Sequence, residues 1–301
     1  MESHRKEIVR AISPLVRVRW WLGVFAGLFV SAACALTTDL DNLSSGGPAR
    51  PDGGNDGSLA SDAGSSGSAE GGAPPAEGGA EAGAPTYGDL VMGDHPIAYF
   101  PFDEPSSSSF ITEKISGKNA TATKPNFALG APGIAGTALA VTGHAEMDFG
   151  DMLDVVGKKP WTIEAWIKPE LEDGKVFYEY FNKRENGNNG IVAYVRSENG
   201  HRTAQVEQSY SGGGRGVDAV LPALDHFIHI VFVYDPGGSG IRAWVDGQRS
   251  DAGYDDNGGP TDNAQPVYIA SGVKGTIDEM AVYDYALADA RIVAHYTAGK
   301  R

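Results

Sequence analysis

The sequence predicts an all-β protein: an antiparallel two-sheet sandwich with a short C-terminal helix, preceded by a signal segment and a disordered linker. Three observations lead there. Residues 88–301 alternate apolar and polar side chains with a period of two, clusters of Gly, Asn and Asp interrupt that alternation at short intervals, and residues 45–85 hold almost no side chain able to build a core. A period of two is that of a strand with one buried face. Turn residues at short spacing join such strands as hairpins.

The first element, residues 1–33, has the layout of an export signal. Arg5, Lys6, Arg10, Arg17 and Arg19 outweigh Glu2 and Glu7, and Trp20 to Leu36 then carries no charge. A basic head, a short apolar run and small residues at a cut make a secretory signal; the same run stands at the lower limit for spanning a hydrocarbon core of about 30 Å, so a retained anchor is the alternative. Ser31-Ala32-Ala33-Cys34 resembles the lipobox of bacterial lipoproteins, with Ser31 where that family usually has Leu. The resemblance implies that Cys34 is diacylated and becomes the new N-terminus. The alternative is ordinary cleavage near Ala33 or Ala35. Acyl chains contribute about 0.8 kcal/mol per buried CH₂, so an acylated Cys34 would hold the protein at a bilayer without a spanning helix. Ala35 after the cysteine resembles the outer-membrane form of the sorting signal, which implies the envelope, at the outer membrane or cell surface, as the destination.

Cys34 is the only cysteine. An exported chain with a single thiol has no intrachain disulfide available, so cohesion must come from packing or from a metal.

The second element, residues 34–87, is dominated from Ser45 to Pro85 by Gly, Ala, Ser, Pro, Asp and Glu. So little apolar area cannot offset an ordering cost of about 1–2 kcal/mol per residue, which predicts a disordered tether. Its typical reach is about 35 Å.

The formal net charge is −15, and removal of residues 1–33 with their five basic and two acidic side chains leaves −18. Such a surface repels phosphate backbones and argues against nucleic-acid binding. It suits cations, sugars or plain solubility.

The third element, residues 88–301, is long enough to bury a full core as one domain. Trp161 to Pro169 places Trp161, Ile163, Ala165 and Ile167 on one face and Thr162, Glu164, Trp166 and Lys168 on the other. His226 to Asp235 is more apolar, as a central strand requires. Further strands are expected at 97–102, 137–141, 175–182, 190–196, 204–209, 241–245, 267–270 and 276–283, with turns at Asn186-Gly187, Asn199-Gly200, Gly237-Gly238 and Asp246-Gly247. One helical stretch, Leu287 to Tyr296, closes the chain.

Six segments carry a resemblance in order: "AYFPFDE" (98–104), "GIAGTALAV" (133–141), "WTIEAWIKP" (161–169), "HIVFVYD" (229–235), "IRAWVDG" (241–247) and "GTIDEMAVYDYALADARIVAHY" (275–296). Together they resemble the laminin-G-like, concanavalin A-like lectin/glucanase jelly roll, with Phe227 where that family generally has Trp. Its members include lectins, polysaccharide-binding modules, adhesion domains and glycan-cleaving enzymes, so the fold alone does not choose a function.

Glycan cleavage normally needs two carboxylates about 5–9.5 Å apart. Related sandwich hydrolases carry them at alternating positions of one strand, and no such run occurs here: Glu164 stands alone on its strand and Asp278-Glu279 point to opposite faces. A non-enzymatic protein is expected. His226 and His229 are three apart in an extended segment and face opposite ways. "GGGRG" (212–216) lacks the Lys-Ser/Thr and helix of a phosphate cradle and reads as a hairpin tip. The jelly-roll resemblance implies a structural Ca²⁺ held by Asp278 with the carbonyls of Pro101 and Gly136, oxygen donors of the kind calcium takes; the alternative is that Asp278 accepts backbone amides. The polar run 254–263 supplies Tyr254, Asp255 and Asn257, and with Tyr210 these are the expected ligand contacts, since sugar sites pair ring stacking with carboxylate and amide hydrogen bonds. The expected protein is a cell-envelope lipoprotein that displays a module binding a glycan or glycoprotein. An adhesion protein binding another protein is the second expectation and a glycan hydrolase the third.

Overall fold

A computed structural model describes residues 84–301 except 125, 175–176, 186–188 and 251–252. Cys34, the signal segment, nearly all of the tether and the Asn186-Gly187 turn lie outside the described residues. In chain order the elements are α1 (Tyr87–Gly93), β1 (Ala98–Phe100), β2 (Thr121–Ala122), β3 (Phe127–Pro132), β4 (Thr137–Val141), β5 (Met147–Asp148) and β6 (Trp161–Pro169). There follow β7 (Tyr178–Glu185), β8 (Asn189–Glu198), β9 (His201–Tyr210), β10 (Gly213–Val220), β11 (Ile228–Asp235) and β12 (Gly240–Val245). The chain closes with β13 (Gln248–Ser250), β14 (Gly253–Asp255), β15 (Tyr268–Ile269), β16 (Gly275–Tyr283) and α2 (Asp289–Gly299).

Two sheets form. The first runs β13-β12-β11-β6-β16-β4-β3, with β1 also paired to β16, and the second runs β14-β10-β9-β8-β7-β15-β5-β2. The strand pairs are antiparallel, as the hairpin turns predict. Asn199-Gly200 and Asp246-Gly247 both have positive φ at both residues, 52° and 77° in the first and 51° and 72° in the second, the twist that short hairpin loops need.

The inward alternation of β6 meets that of β8 and β11: Trp161, Ile163 and Ile167 share one core with Ile191, Ala193, Phe232 and Tyr234. A second apolar cluster lies on the opposite face of the first sheet, where Trp166, Val231, Val233, Trp244 and Tyr283 are covered by Tyr87 and Val91 of α1 and by Leu287 and Ile292 at α2. The module is therefore a sandwich with one outer face closed by helices. α1 was not expected from the sequence, although Thr86 and Asp89 form a reciprocal capping box at its start. It opens one residue ahead of position 88. Arg291 of α2 binds Asp94 at the end of α1 with Nε 2.8 Å from Oδ2, which ties the two helices together.

The second sheet differs from expectation at one place. The Gly-rich run 212–216 only begins in a hairpin tip: the turn lies at Ser211-Gly212, and Gly213 onward is strand β10, paired along its length with β9. The glycines serve packing. A Cβ on Gly216 would press on the Tyr254 ring, and one on Gly213 would press on Tyr210 and Asp256.

Candidate functional site: the open sheet face and its flanking loop

Among the described residues the outer face of the second sheet carries no helix, since α1 and α2 both pack on the first. Along β8 the inward residues are Ile191, Ala193 and Val195, so Val192, Tyr194 and Arg196 lie on the other face, the first two buried there by their neighbours. The registers of β9, β10 and β14 extend this face across Glu207, Gly216 and Tyr254 in one row and across Gln205 and Asp218 in the next. Tyr254 and Phe177 are its exposed aromatic rings, at 55% and 51% exposure. Between them Glu207 accepts from the Tyr194 hydroxyl at 2.7 Å and from Arg184 Nη1 at 3.3 Å. Glu179 accepts from Asn182 Nδ2 at 2.7 Å and from Ser271 Oγ at 3.1 Å.

The predicted ligand residues divide into two kinds. Tyr254 stands on β14 at the edge of the face, its ring laid over Gly216. Tyr210 ends β9, and its hydroxyl accepts from Gly258 N at 3.0 Å. It lines an open cleft of about 640 Å³ together with Glu185, Asn189 and Thr261. Asp255 and Asn257 are instead part of the loop's own frame. Asp255 Oδ1 lies 3.2 Å from Arg215 Nε and accepts from Asn257 N at 2.8 Å. Arg215 is fully buried, donates to Gln208 Oε1 at 2.9 Å and to the Gly258 carbonyl, and stacks 3.8 Å from the Tyr234 ring centroid. A buried guanidinium with this many partners organises the whole polar loop from below. Sequence reading missed Arg215 because it sat among glycines assigned to a turn.

Sequence reading also sought paired carboxylates along one strand, whereas the sheet brings a pair together across strands. Glu207 faces Gly216 and Asp218 faces Gln205, so the two acids are diagonal neighbours on the same face. Partial burial and the Glu207 charge raise the Asp218 carboxyl above its ordinary value, against the opposing effect of Arg196.

Of the residues assigned to calcium, Asp278 accepts backbone amides, as the alternative has it, from Ile134 N and from Glu279 N. Asp278 on β16 reaches the turn between β3 and β4, where its Oδ2 accepts from Ile134 N at 2.6 Å. Beside it Thr137 N donates to Asp103 Oδ1 at 2.9 Å, and Thr137 Oγ1 to the Phe102 carbonyl at 3.1 Å, which draws the segment after Pro101 onto the same turn. The Gly136 carbonyl accepts from Gly133 N at 3.3 Å, and a Cβ on Gly133 or Gly136 would collide with Asp278 or Asp103. Burial, with the nearby Asp103 charge, pushes the Asp278 carboxyl up to about 7 against the amides it accepts. Burial likewise pushes Glu279 up to about 9, against the hydrogen bond from Tyr99. Among the described residues no three His, Cys, Asp or Glu side chains converge to hold a metal by themselves. A hard cation would have to draw on the carbonyls as well.

Glu164 does not stand alone. It is fully buried beneath the helices, accepting from Tyr87 Oη at 2.7 Å, Tyr283 Oη at 3.2 Å, His229 Nε2 at 2.8 Å and His295 Nδ1 at 3.0 Å. His295 Nε2 lies 2.9 Å from Asp94 Oδ2, within ion-pair reach though without hydrogen-bond alignment. Burial alone would raise the Glu164 carboxyl, but the His295 charge and the two histidine hydrogen bonds hold it well below the usual carboxylate range. The cluster has the chemistry of an acid–base site, but Glu164, His229 and His295 are all at 0% exposure. It acts as a structural polar core joining five elements, α1, β6, β11, β16 and α2.

The family model described as the concanavalin A-like lectin/glucanases superfamily matches residues 142–293. Among solved structures, the ligand-binding domain of botulinum neurotoxin serotype D in complex with N-acetylneuraminic acid superposes with a TM-score of 0.54 at 13% identity, covering 69% of this chain and 52% of that one. The binding domain of botulinum neurotoxin DC in complex with rat synaptotagmin II gives 0.51 at 11% identity, covering 68% and 52%. Domain 4 of an extracellular arabinanase from Geobacillus stearothermophilus, in complex with arabinotriose, gives 0.49 at 17% identity, covering 66% and 97%. The chain spans about half the length of the neurotoxin domains it matches, and at these identities the likeness is one of fold. A search of the curated proteins finds no match.

Proposed function

Because the chain belongs to the concanavalin A-like lectin/glucanases superfamily, we propose that it is a non-catalytic cell-envelope lipoprotein displaying a carbohydrate- or glycoprotein-binding jelly-roll module. The observation that carries this reading is the outer face of the second sheet, over which no described helix lies, with exposed Tyr254 and Phe177 flanking half-exposed Glu207, which hydrogen-bonds Arg184 and the buried Tyr194. Aromatic faces that stack on sugar rings, interleaved with fixed polar groups, are what a glycan site requires. The fold is shared with a neurotoxin domain that binds N-acetylneuraminic acid. Tyr254 and Tyr210 would touch the ligand, and Asp255 and Asn257 would hold their loop in place. Acylated Cys34 and the tether would set the module clear of the outer membrane.

The experiment is a glycan array on the full-length chain, repeated with Tyr254→Ala. Binding that competes with free sugar and is lost in the variant supports the reading. Sugar-insensitive capture of an envelope protein supports the adhesion alternative, and product release from a polysaccharide, lost in Glu207→Gln or Asp218→Asn, supports a hydrolase. Mass spectrometry of the mature N-terminus decides the anchor, since an unmodified Cys34, or a mature chain that begins at any other residue, removes the lipoprotein claim.

The same reading includes a structural Ca²⁺ at Asp278 and the carbonyls of Pro101 and Gly136. It is supported by the buried acids there, whose described partners include no basic side chain. Thermal unfolding with and without a chelator tests it; an unchanged midpoint removes the ion.

A further inference from the structure

A cleft of about 380 Å³ lies on the opposite side of the module, where the end of α2 meets β6 and the segment before β11. It belongs neither to the open face nor to the Tyr210 loop. Its walls are apolar: Ile134, Phe227 and Tyr296 surround Trp166. Trp166 is only 2% exposed, and the Tyr296 ring stacks over it at 5.9 Å between centroids. Its Nε1 is a buried donor with no acceptor among the described residues, an arrangement a folded protein rarely leaves without a reason. Gly299 closes the floor, because a Cβ there would collide with the indole.

The charges on the rim have unequal commitments. Asp246 accepts from His229 N at 2.9 Å, and Asp225 Oδ1 lies 2.7 Å from His226 Nδ1. Lys300 Nζ donates to the Tyr296 hydroxyl at 2.9 Å, and among the described residues neither Lys300 nor Lys168 forms an ion pair. The two ammonium groups at this apolar cleft are therefore free of ion pairs, although Asp225 faces Lys168 and Asp246 faces Lys300 from beyond ion-pair reach.

We propose that this cleft binds a small carboxylate with an apolar body, an aryl or acyl acid, whose hydrocarbon part packs on Phe227 and Tyr296 and whose carboxylate meets Lys168 and Lys300. The volume suits a ligand of one ring or a short chain, and the lining matches the apolar majority with a few polar groups found in small-molecule sites. This site is independent of the glycan face.

The test is titration of the full-length chain with 3-phenylpropionate and with its neutral amide, followed by calorimetry and by the indole N–H resonance of Trp166, assigned through Trp166→Phe. The acid is expected to bind about tenfold more tightly than the amide and to shift the Trp166 signal. Lys168→Gln with Lys300→Gln, both exposed positions, is expected to reduce the acid to the affinity of the amide with an unchanged melting temperature, whereas Tyr254→Ala leaves binding intact. Equal affinity for acid and amide, an unmoved Trp166 signal, or full binding by the double lysine variant would each overturn the proposal.

Discussion

Glu164 and the pair Asp278-Glu279 lie on neighbouring strands, β6 and β16, within a few residues of one another in register, yet they answer burial in opposite ways. Glu164 is surrounded by two histidines and two tyrosines that donate to it, and it stays ionised below the usual range. Asp278 and Glu279 have backbone amides and one tyrosine, and burial pushes them up to about 7 and about 9. The difference is the partner set. A buried carboxylate facing cationic donors contributes to stability, whereas one facing only neutral donors carries a desolvation cost that a proton or a cation can relieve.

The largest test of this contrast is Glu164→Leu. It leaves His229, His295, Tyr87 and Tyr283 without their shared acceptor, and the expected loss is about 3–5 kcal/mol, read as a lower denaturation midpoint; a midpoint within error of the parent would show that the cluster is not a unit. Asp278→Asn should behave differently. At pH 8 without a divalent cation it is expected to be neutral or stabilising, because it removes an ionised group held at an unfavourable place. With calcium present it should be destabilising, and loss of that sign reversal would remove the ion from the account.

The pH dependence follows with definite signs. Asp278 and Glu279 have folded values above their unfolded ones of 3.8 and 4.5, so their contribution is full below about 4 and lost as pH rises through about 7 and then about 9. Glu164 contributes above its unfolded value of 4.5 and loses that contribution only as pH falls toward its depressed folded value. His295 is lowered by burial but raised overall by Glu164 and Asp94, so its share is complete below 6.5 and fades above its folded value. Melting temperature without divalent cations should thus be highest in weak acid and decline toward pH 9, and Asp278→Asn should flatten the part between about pH 4 and 7. The smallest stability effect is that of Tyr254→Ala, an exposed ring, whose melting temperature should stay within about 0.5 kcal/mol equivalent of the parent while sugar binding falls.

Strand existence was legible because period-two alternation and turn residues are local signals: β4 falls on its predicted bounds, and β16 begins one residue early. Short strands such as β2, β5 and β14 carried too few residues for a period, and β10 was hidden by glycines that a sheet tolerates only when a ring and a loop pack against them. Tyr254 was legible as an exposed ring in a polar run, but the commitment of Asp255 to Arg215 was not, because it spans forty residues of sequence.

What the sequence by itself determined is the sandwich, its hairpins and its family, since alternation, turn chemistry and ordered motifs are written along the chain. Only the tertiary structure decided which acids have cationic partners, which sheet face stays open and where two lysines meet an apolar cleft. Those depend on side chains brought together from distant strands and helices, and the energy of a charge is set by its neighbours in space.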